Sequence, residues 1–141
     1  MARDDVAAIV LAAGLSSRFG EVNKLLSIVE GERVLSRVLA SVLECGLSPV
    51  LVTGYEADII EEAFGDRENL RIAYNHRFPE GIGTSISCGV ANAPGATGWL
   101  IVPGDMPFLT SNTLLRVIEL ADENALVGCK LQGGFSPPCF I

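Results

Sequence analysis

Two stretches of the chain hold residues whose types and spacing could do chemistry. In LAAGLSSRFGEVNKLL, residues 11–26, the small side chains of Ala12, Ala13 and Gly14 let the backbone turn sharply and let a ligand approach the main-chain N–H groups. Arg18 and Lys24 follow in the same polar stretch. A guanidinium suits bidentate contact with one phosphate and a compact ammonium suits a second, so the pair fits a triphosphate. The spacing is neither that of a P-loop nor G-x-G-x-x-G. The competing reading is a polar loop with two solvated cations. In PGDMP, residues 103–107, Asp105 follows an apolar run directly. A carboxylate there is a hard oxygen ligand for Mg2+, which takes one or two protein carboxylates and fills its shell with water and phosphate oxygens. The alternative is an Asp that stabilises its own turn.

A third segment, NHRFPEGIG at 75–83, offers weaker signals. Gly81 and Gly83 precede Thr84 and Ser85 at the expected start of a helix, where N–H groups and hydroxyls could receive an anion or a ribose hydroxyl. A simple loop before a capped helix reads equally well. Asn75 either binds polar ligand edges or stabilises the turn. His76 is the sole histidine, which leaves no basis for a histidine triad or a His-rich metal site.

These loops need elements to position them. Val6–Ala12 is a continuous apolar run, as expected of a strand buried on both faces of a parallel sheet. Leu25 to Val34 reads as a short hairpin around Glu30 and Gly31, followed by a helix with apolar positions 34, 35, 38, 39, 42 and 43 that Gly46 ends. Pro49–Thr53 reads as a second strand, and Ala57–Phe64 as an amphipathic helix closed by Gly65. Its acidic residues Glu56, Asp58, Glu61 and Glu62 read as a solvated face. Strands at Leu70–Tyr74, Trp99–Val102 and Ala125–Cys129 alternate with helices at Thr84–Ala91 and Ser111–Asn124, the last with Ser111 as its cap. Trp99 is expected to pack in the core. Alternating strands and helices predict an α/β fold with an open, mostly parallel sheet and helices on both faces. Ligands bind such sheets beyond the carboxyl ends of the strands, so the unusual loops point to one crevice.

Composition narrows the classes. A length of 141 residues with 49% apolar and 19% charged residues fits one globular domain spanning 1–141, and excludes a disordered or collagenous chain. A formal charge of −7 has the wrong sign for binding nucleic acid through its phosphates. No apolar run is long enough to predict a membrane span. Asp4 and Asp5 stand where a signal peptide would be basic, so no export is expected. Cys45, Cys88, Cys129 and Cys139 lack C-x-x-C spacing and read as buried, reduced thiols of a cytoplasmic protein.

Taken together, LAAGLSSRFGEVNKLL, VTGYEADI, NHRFPEGIGTSISCGV and VPGDMPFLT resemble, in order, the motifs of the molybdenum cofactor nucleotidyltransferase family. LAAG and the Asn23-Lys24-Leu-Leu run look more like its cytidylyltransferase than its guanylyltransferase branch. The resemblance implies a three-layer αβα Rossmann-like fold. It also implies transfer of CMP from CTP, with GMP from GTP as second choice, to the phosphate of molybdopterin carrying molybdenum, releasing pyrophosphate. By analogy Leu11, Ala12, Ala13 and Gly14 hold the nucleotide, Arg18 and Lys24 steady its phosphates, and Asp105 binds Mg2+, making Arg18, Lys24 and Asp105 the catalytic set. Gly54, Asn75 and Gly83 line the base and ribose side. A molybdoenzyme maturation protein is an implied partner. Family members continue past the GFSPPCF region, so the chain is expected to be shortened at its C-terminus. Two alternatives follow: the same triphosphate site serving a sugar phosphate or other small phosphate, and a noncatalytic nucleotide-binding or assembly module.

Overall fold

VAAIVLA is apolar at every position, so a strand made from it needs cover above and below and a hydrogen-bonding neighbour on each side. The computed structural model provides all four. It describes residues 5–13, 24–67, 69–121, 127–131 and 134–141, with only the backbone for 24, 127–131, 134–138 and 140. β1 (Val6–Ala12) is followed by a 3-10 turn (Lys24–Leu26) and a two-stranded hairpin, β2 (Ile28–Val29) and β3 (Glu32–Arg33). Glu30 and Gly31 both have positive φ, 50° and 85°, as a two-residue hairpin turn of this kind requires. α1 (Val34–Glu44), β4 (Pro49–Thr53), α2 (Ala57–Phe64) and β5 (Arg71–Tyr74) come next. A 3-10 turn at Phe78–Glu80 leads into α3 (Ile82–Ala91), then β6 (Gly98–Pro103), α4 (Ser111–Ala121), β7 (Val127–Leu131) and β8 (Gly134–Phe140). No helix among the described residues is long and apolar enough to cross a membrane.

The main sheet has the order β5-β4-β1-β6-β8-β7. β1 is central and pairs in parallel with β4 and β6, with Ile9 opposite both Val50 and Ile101. β5 extends the parallel run beyond β4. The terminal segment supplies the exception. β8 lies antiparallel between β6 and β7, so β7 runs in the same direction as the other strands while β8 alone is reversed.

Alternation along β1 divides the core. Ala8, Val10 and Ala12 pack with Leu35, Val38 and Leu39 of α1, Ile60 and Phe64 of α2, and Leu114 and Val117 of α4. Ile9 and Ala13 belong to a smaller cluster with Val50, Val52, Ala73 and Ile101, against which Ile86 and Cys88 of α3, Trp99 and Phe78 pack. Three layers result, with α1, α2 and α4 on one face and α3 on the other. Gly89 lets α3 come down on the sheet: a Cβ there would lie 2.3 Å from Ile9 Cγ2.

Three local details depart from the sequence reading. Thr110 rather than Ser111 caps α4, its Oγ1 accepting from the Thr113 N–H at 3.2 Å, and Ser111 is the first helical residue. α3 begins two residues earlier than its predicted start at Thr84. The acidic face of α2 is only partly solvated: Asp58 and Glu62 are exposed, but Glu61 is half-buried and accepts from Thr53 Oγ1 at 3.4 Å.

Candidate active site

Because β1, β4, β5 and β6 are parallel, their carboxyl ends share one rim of the sheet. Sequence order reverses at β1: the chain moves from β1 to β4 on one side and returns to β6 on the other. The crevice between β1 and β6 is therefore a topological switch point, the place where open α/β sheets bind ligands.

Described residues from four loops meet on this rim. Gly104, just past β6, donates its N–H to Leu11 O at 2.9 Å. Tyr55, past β4, donates to Ala13 O at 3.4 Å. Two glycines permit the approach. A Cβ on Gly104 would sit 2.6 Å from Leu11 O, and one on Gly54 would sit 2.5 Å from Phe78 Cβ and 2.9 Å from Ala13 Cβ. Phe78, carried by the loop after β5, thus closes over Gly54 and reaches the end of β1.

Asp105 occupies the turn beyond Gly104 and is exposed. Among the described residues it makes no hydrogen bond or ion pair. The turn is held on its far side as well, since Arg37 Nε donates to Pro107 O at 2.9 Å and Leu109 N to Met106 O at 3.2 Å. No cluster of three or more His, Cys, Asp or Glu able to hold a metal exists among the described residues. A single hard carboxylate nonetheless fits a cation that arrives with most of its oxygen ligands supplied by phosphates and water.

Ala12 and Ala13 are buried and Leu11 half-buried at the end of β1. Gly14 and Arg18 lie outside the described residues, as does the side chain of Lys24, whose backbone opens the 3-10 turn before the hairpin. The convergence expected of Arg18, Lys24 and Asp105 is thus described only at Asp105.

Asn75 lies beneath the rim. It is 4% exposed; its Nδ2 donates to Thr84 Oγ1 and Ser85 Oγ, both at 2.9 Å, and its Oδ1 accepts from the Arg77 N–H at 3.0 Å. These bonds tie the end of β5 to the first turn of α3. Of the two sequence readings, a ligand contact or a brace for the turn, the geometry favours the brace. The hydroxyls of Thr84 and Ser85 face the same network rather than an anion, and Thr84 Oγ1 also bonds Gly81 O at 2.7 Å. Gly83 is exposed, with open space where a Cβ would be. His76 is exposed and meets the Tyr74 ring edge to face at 4.6 Å.

Two charged groups and one thiol are perturbed nearby. Arg77 donates to Glu80 at 2.9 Å and 3.2 Å, and this hydrogen bonding, with the attraction of the charges second, holds the Glu80 carboxyl below its ordinary range and the guanidinium above its own. Burial pushes the Cys88 thiol up, which disfavours the thiolate. Of the cysteines expected to be buried, Cys45 is, whereas Cys88 and Cys139 are half-buried. Sequence reading missed Gly104 and Arg37. The signal for Gly104 was its place between a buried strand and an acid; Arg37 gave none, because it stands on a helix read only for its apolar positions.

A mostly parallel sheet between two helical layers, with glycines at its switch point and on its rim a carboxylate unpartnered among the described residues, defines an α/β protein whose candidate site lies beyond the strand ends. The chain belongs to the family described as the MobA-like NTP transferase domain, whose profile matches residues 8–141. It is 29% identical over 119 residues to the molybdenum cofactor cytidylyltransferase of Escherichia coli (strain K12), covering 84% of this chain and 61% of that protein. It is 37% identical over 125 residues to the bifunctional protein GlmU of Trichlorobacter lovleyi, covering 86% of this chain and 26% of the relative. Among solved structures, Rv0371c from Mycobacterium tuberculosis H37Rv matches with a TM-score of 0.81 at 26% identity, over 96% of this chain and 70% of that one. The chain therefore spans less than two thirds of the length of either curated relative.

Proposed function

We propose that residues 1–141 act as one nucleotidyltransferase domain that moves CMP from CTP to the terminal phosphate of molybdopterin carrying molybdenum, with release of pyrophosphate. The observation that carries this reading is the carboxylate of Asp105, unpartnered among the described residues and pinned beside the end of β1, in a chain whose family is that of NTP transferases. The choice of CTP and of molybdopterin draws on the cytidylyltransferase relative and on the LAAG and Asn23-Lys24 residues.

The chemistry asks little of the protein in the way of proton transfer. A phosphate nucleophile is already anionic near neutral pH, so no general base is needed and rate comes from alignment and charge neutralisation. The main chain around Leu11 to Gly14 cradles the nucleotide, Arg18 and Lys24 neutralise its phosphates, and Asp105 is the residue that would hold a divalent cation, Mg2+. That cation, when bound, would stabilise charge on the transferring and leaving phosphates. Gly54 keeps the loop after β5 seated, and Gly83 leaves room at the rim for the ribose or base.

The 37% identity to a bifunctional protein of a different name supports a second reading, in which the same triphosphate site serves a sugar phosphate or another small phosphate. The deciding experiment incubates the chain with Mg2+, each of four labelled nucleoside triphosphates, and molybdopterin with molybdenum or a panel of sugar phosphates. Pyrophosphate release with CTP and molybdopterin, lost in Asp105→Ala, is the expected result. Turnover with another acceptor selects the second reading. Nucleotide binding without turnover would make the chain a binding module, and no pyrophosphate from any pair, with Asp105→Ala indistinguishable from wild type, would sink the enzymatic reading.

A further inference from the structure

One face of α1 is built to hold the Asp105 turn. Residues 37, 41 and 45 are spaced four apart and so lie in one row along the helix, about 6 Å from one to the next. Each faces a carbonyl of the segment that follows Asp105, the acceptors being spaced two apart; Arg37 and Ser41 donate to theirs, while the Cys45 thiol lies closer to Ser41 O, at 3.3 Å, within its own helix. Arg37 Nε reaches Pro107 O at 2.9 Å, Ser41 Oγ reaches Leu109 O at 2.8 Å, and Cys45 Sγ reaches Ser111 O at 3.6 Å. The chain at 107–108 is a turn, closed by the Leu109 N–H on Met106 O at 3.2 Å, so these contacts hold a folded segment against the helix.

Arg37 is the member whose acceptor, Pro107, stands nearest Asp105 in the chain. Its Nη1 pairs with Glu30 Oε2 of the hairpin turn at 3.2 Å, and its guanidinium lies 5.4 Å from the centre of the Phe108 ring. The side chain is 24% exposed, whereas Phe108 is 67% exposed. Arg37 thus joins three parts of the molecule: α1, the hairpin that follows the phosphate loop, and the turn that carries the carboxylate. On the other side of Asp105, Gly104 is tied to Leu11 O at 2.9 Å. The acid is held between two anchors, one on β1 and one on α1.

We propose that Arg37 is a positioning residue: through the donor row on α1 it fixes the Asp105 turn so that the carboxylate meets the divalent cation on a bound nucleoside triphosphate. This rests on the function proposed above. Without Arg37 the turn keeps its Gly104 anchor and the Ser41 contact at Leu109 but loses the contact at Pro107, two residues from the acid, and the carboxylate samples positions that do not meet the cation.

The test uses the whole chain as Arg37→Met, Arg37→Lys, Asp105→Asn and the Arg37→Met/Asp105→Asn double variant. Hydrogen exchange of residues 104–110 is measured without ligand, and nucleotide affinity by calorimetry with Mg2+ and with EDTA, for CTP and three other triphosphates. Arg37→Met is expected to raise exchange across 104–110, to weaken binding about tenfold with Mg2+, and to change it less than about twofold in EDTA. Arg37→Lys keeps the charge and one donor and is expected to restore part of both effects. In the Asp105→Asn background, Arg37→Met is expected to weaken binding by less than about twofold further. Unchanged exchange, equal weakening with and without Mg2+, or full additivity in the double variant would each overturn the inference while wild-type binding stands. A wild-type chain that binds none of the four nucleotides overturns the functional reading and the inference together, a failure seen before any substitution is made.

Discussion

The turn that carries Asp105 is placed by its neighbours. Gly104 and Pro107 carry the bonds that place the turn, so the carboxylate itself holds nothing in the described structure. Asp105→Asn is therefore expected to shift unfolding free energy by less than about 0.5 kcal/mol, as for other exposed positions, while weakening Mg2+-supported nucleotide binding. Thermal unfolding beside calorimetry separates the two, and a large stability loss would mean that the acid is structural. The Arg77–Glu80 pair gives a prediction in pH. Arg77 lowers the carboxyl's folded pKa below its unfolded value, so the stabilisation is present above the unfolded value and is lost as pH falls through the folded one. Both side chains are well exposed, so the effect on stability is small, but the titration itself is readable. An NMR titration should find the Glu80 midpoint moving upward in Arg77→Gln; a midpoint that stays put would show that the ion pair does not form in solution. Legibility was uneven at this scale. Asp105 stood out as an acid directly after a buried strand and a glycine, with an Asp that stabilises its own turn as the alternative; among the described residues it makes no such bond. Asn75 could not be resolved, because a turn-bracing amide and a ligand-contacting amide look alike until partners are seen.

Helices and strands were the most legible part of the molecule, for reasons that also show where reading fails. α2 runs from Ala57 to Phe64 with Gly65 beyond it, as its apolar spacing and closing glycine predict. α1 shows the complementary failure: its apolar row identifies the buried face, while the polar row at 37, 41 and 45 has no pattern of its own until the opposing carbonyls are in place. α3 carries the most specific packing constraint. An Ala at 89 gains about 1 kcal/mol of helix propensity, yet its methyl would press on Ile9 Cγ2 and lie 3.2 Å from Val52 Cγ2. Overpacking of this kind costs about 1–3 kcal/mol, so Gly89→Ala is expected to lower the urea midpoint despite the better propensity. Truncating the obstructing side chain in Gly89→Ala/Ile9→Ala should cost less than the sum of the two single changes. Strict additivity would show that α3 stands farther from the sheet than described.

For the molecule as a whole, the sheet depends on the strand that the sequence displayed least clearly. LQGGFSPPCFI reads as a loop and the start of a strand, and its two prolines cannot donate to a ladder. The structure accommodates them at an irregularity: Cys129 pairs with Ser136 and Gly128 with Cys139, which leaves Pro137 and Pro138 between the paired positions. Beyond them β8 covers β6. Phe140 lies opposite Leu100 and Cys139 opposite Ile101, and Ile141 exchanges two backbone hydrogen bonds of 2.9 Å with Trp99. Removing this strand would leave β6, which holds the fully buried Leu100 and Ile101 and ends at the Asp105 turn, as an unpaired edge. Exposed apolar edges of that kind pair with other chains. A chain ending at Leu131 is therefore expected to form oligomers or aggregates in size-exclusion chromatography and to lose the protection of the β6 amides in hydrogen exchange, while the β1–β4 pairing, which does not neighbour β8 in the sheet, exchanges more slowly. A monomeric shortened chain that unfolds at the same denaturant midpoint as the full one would show that β8 is an accessory, and that the four parallel strands with their helices support the site unaided.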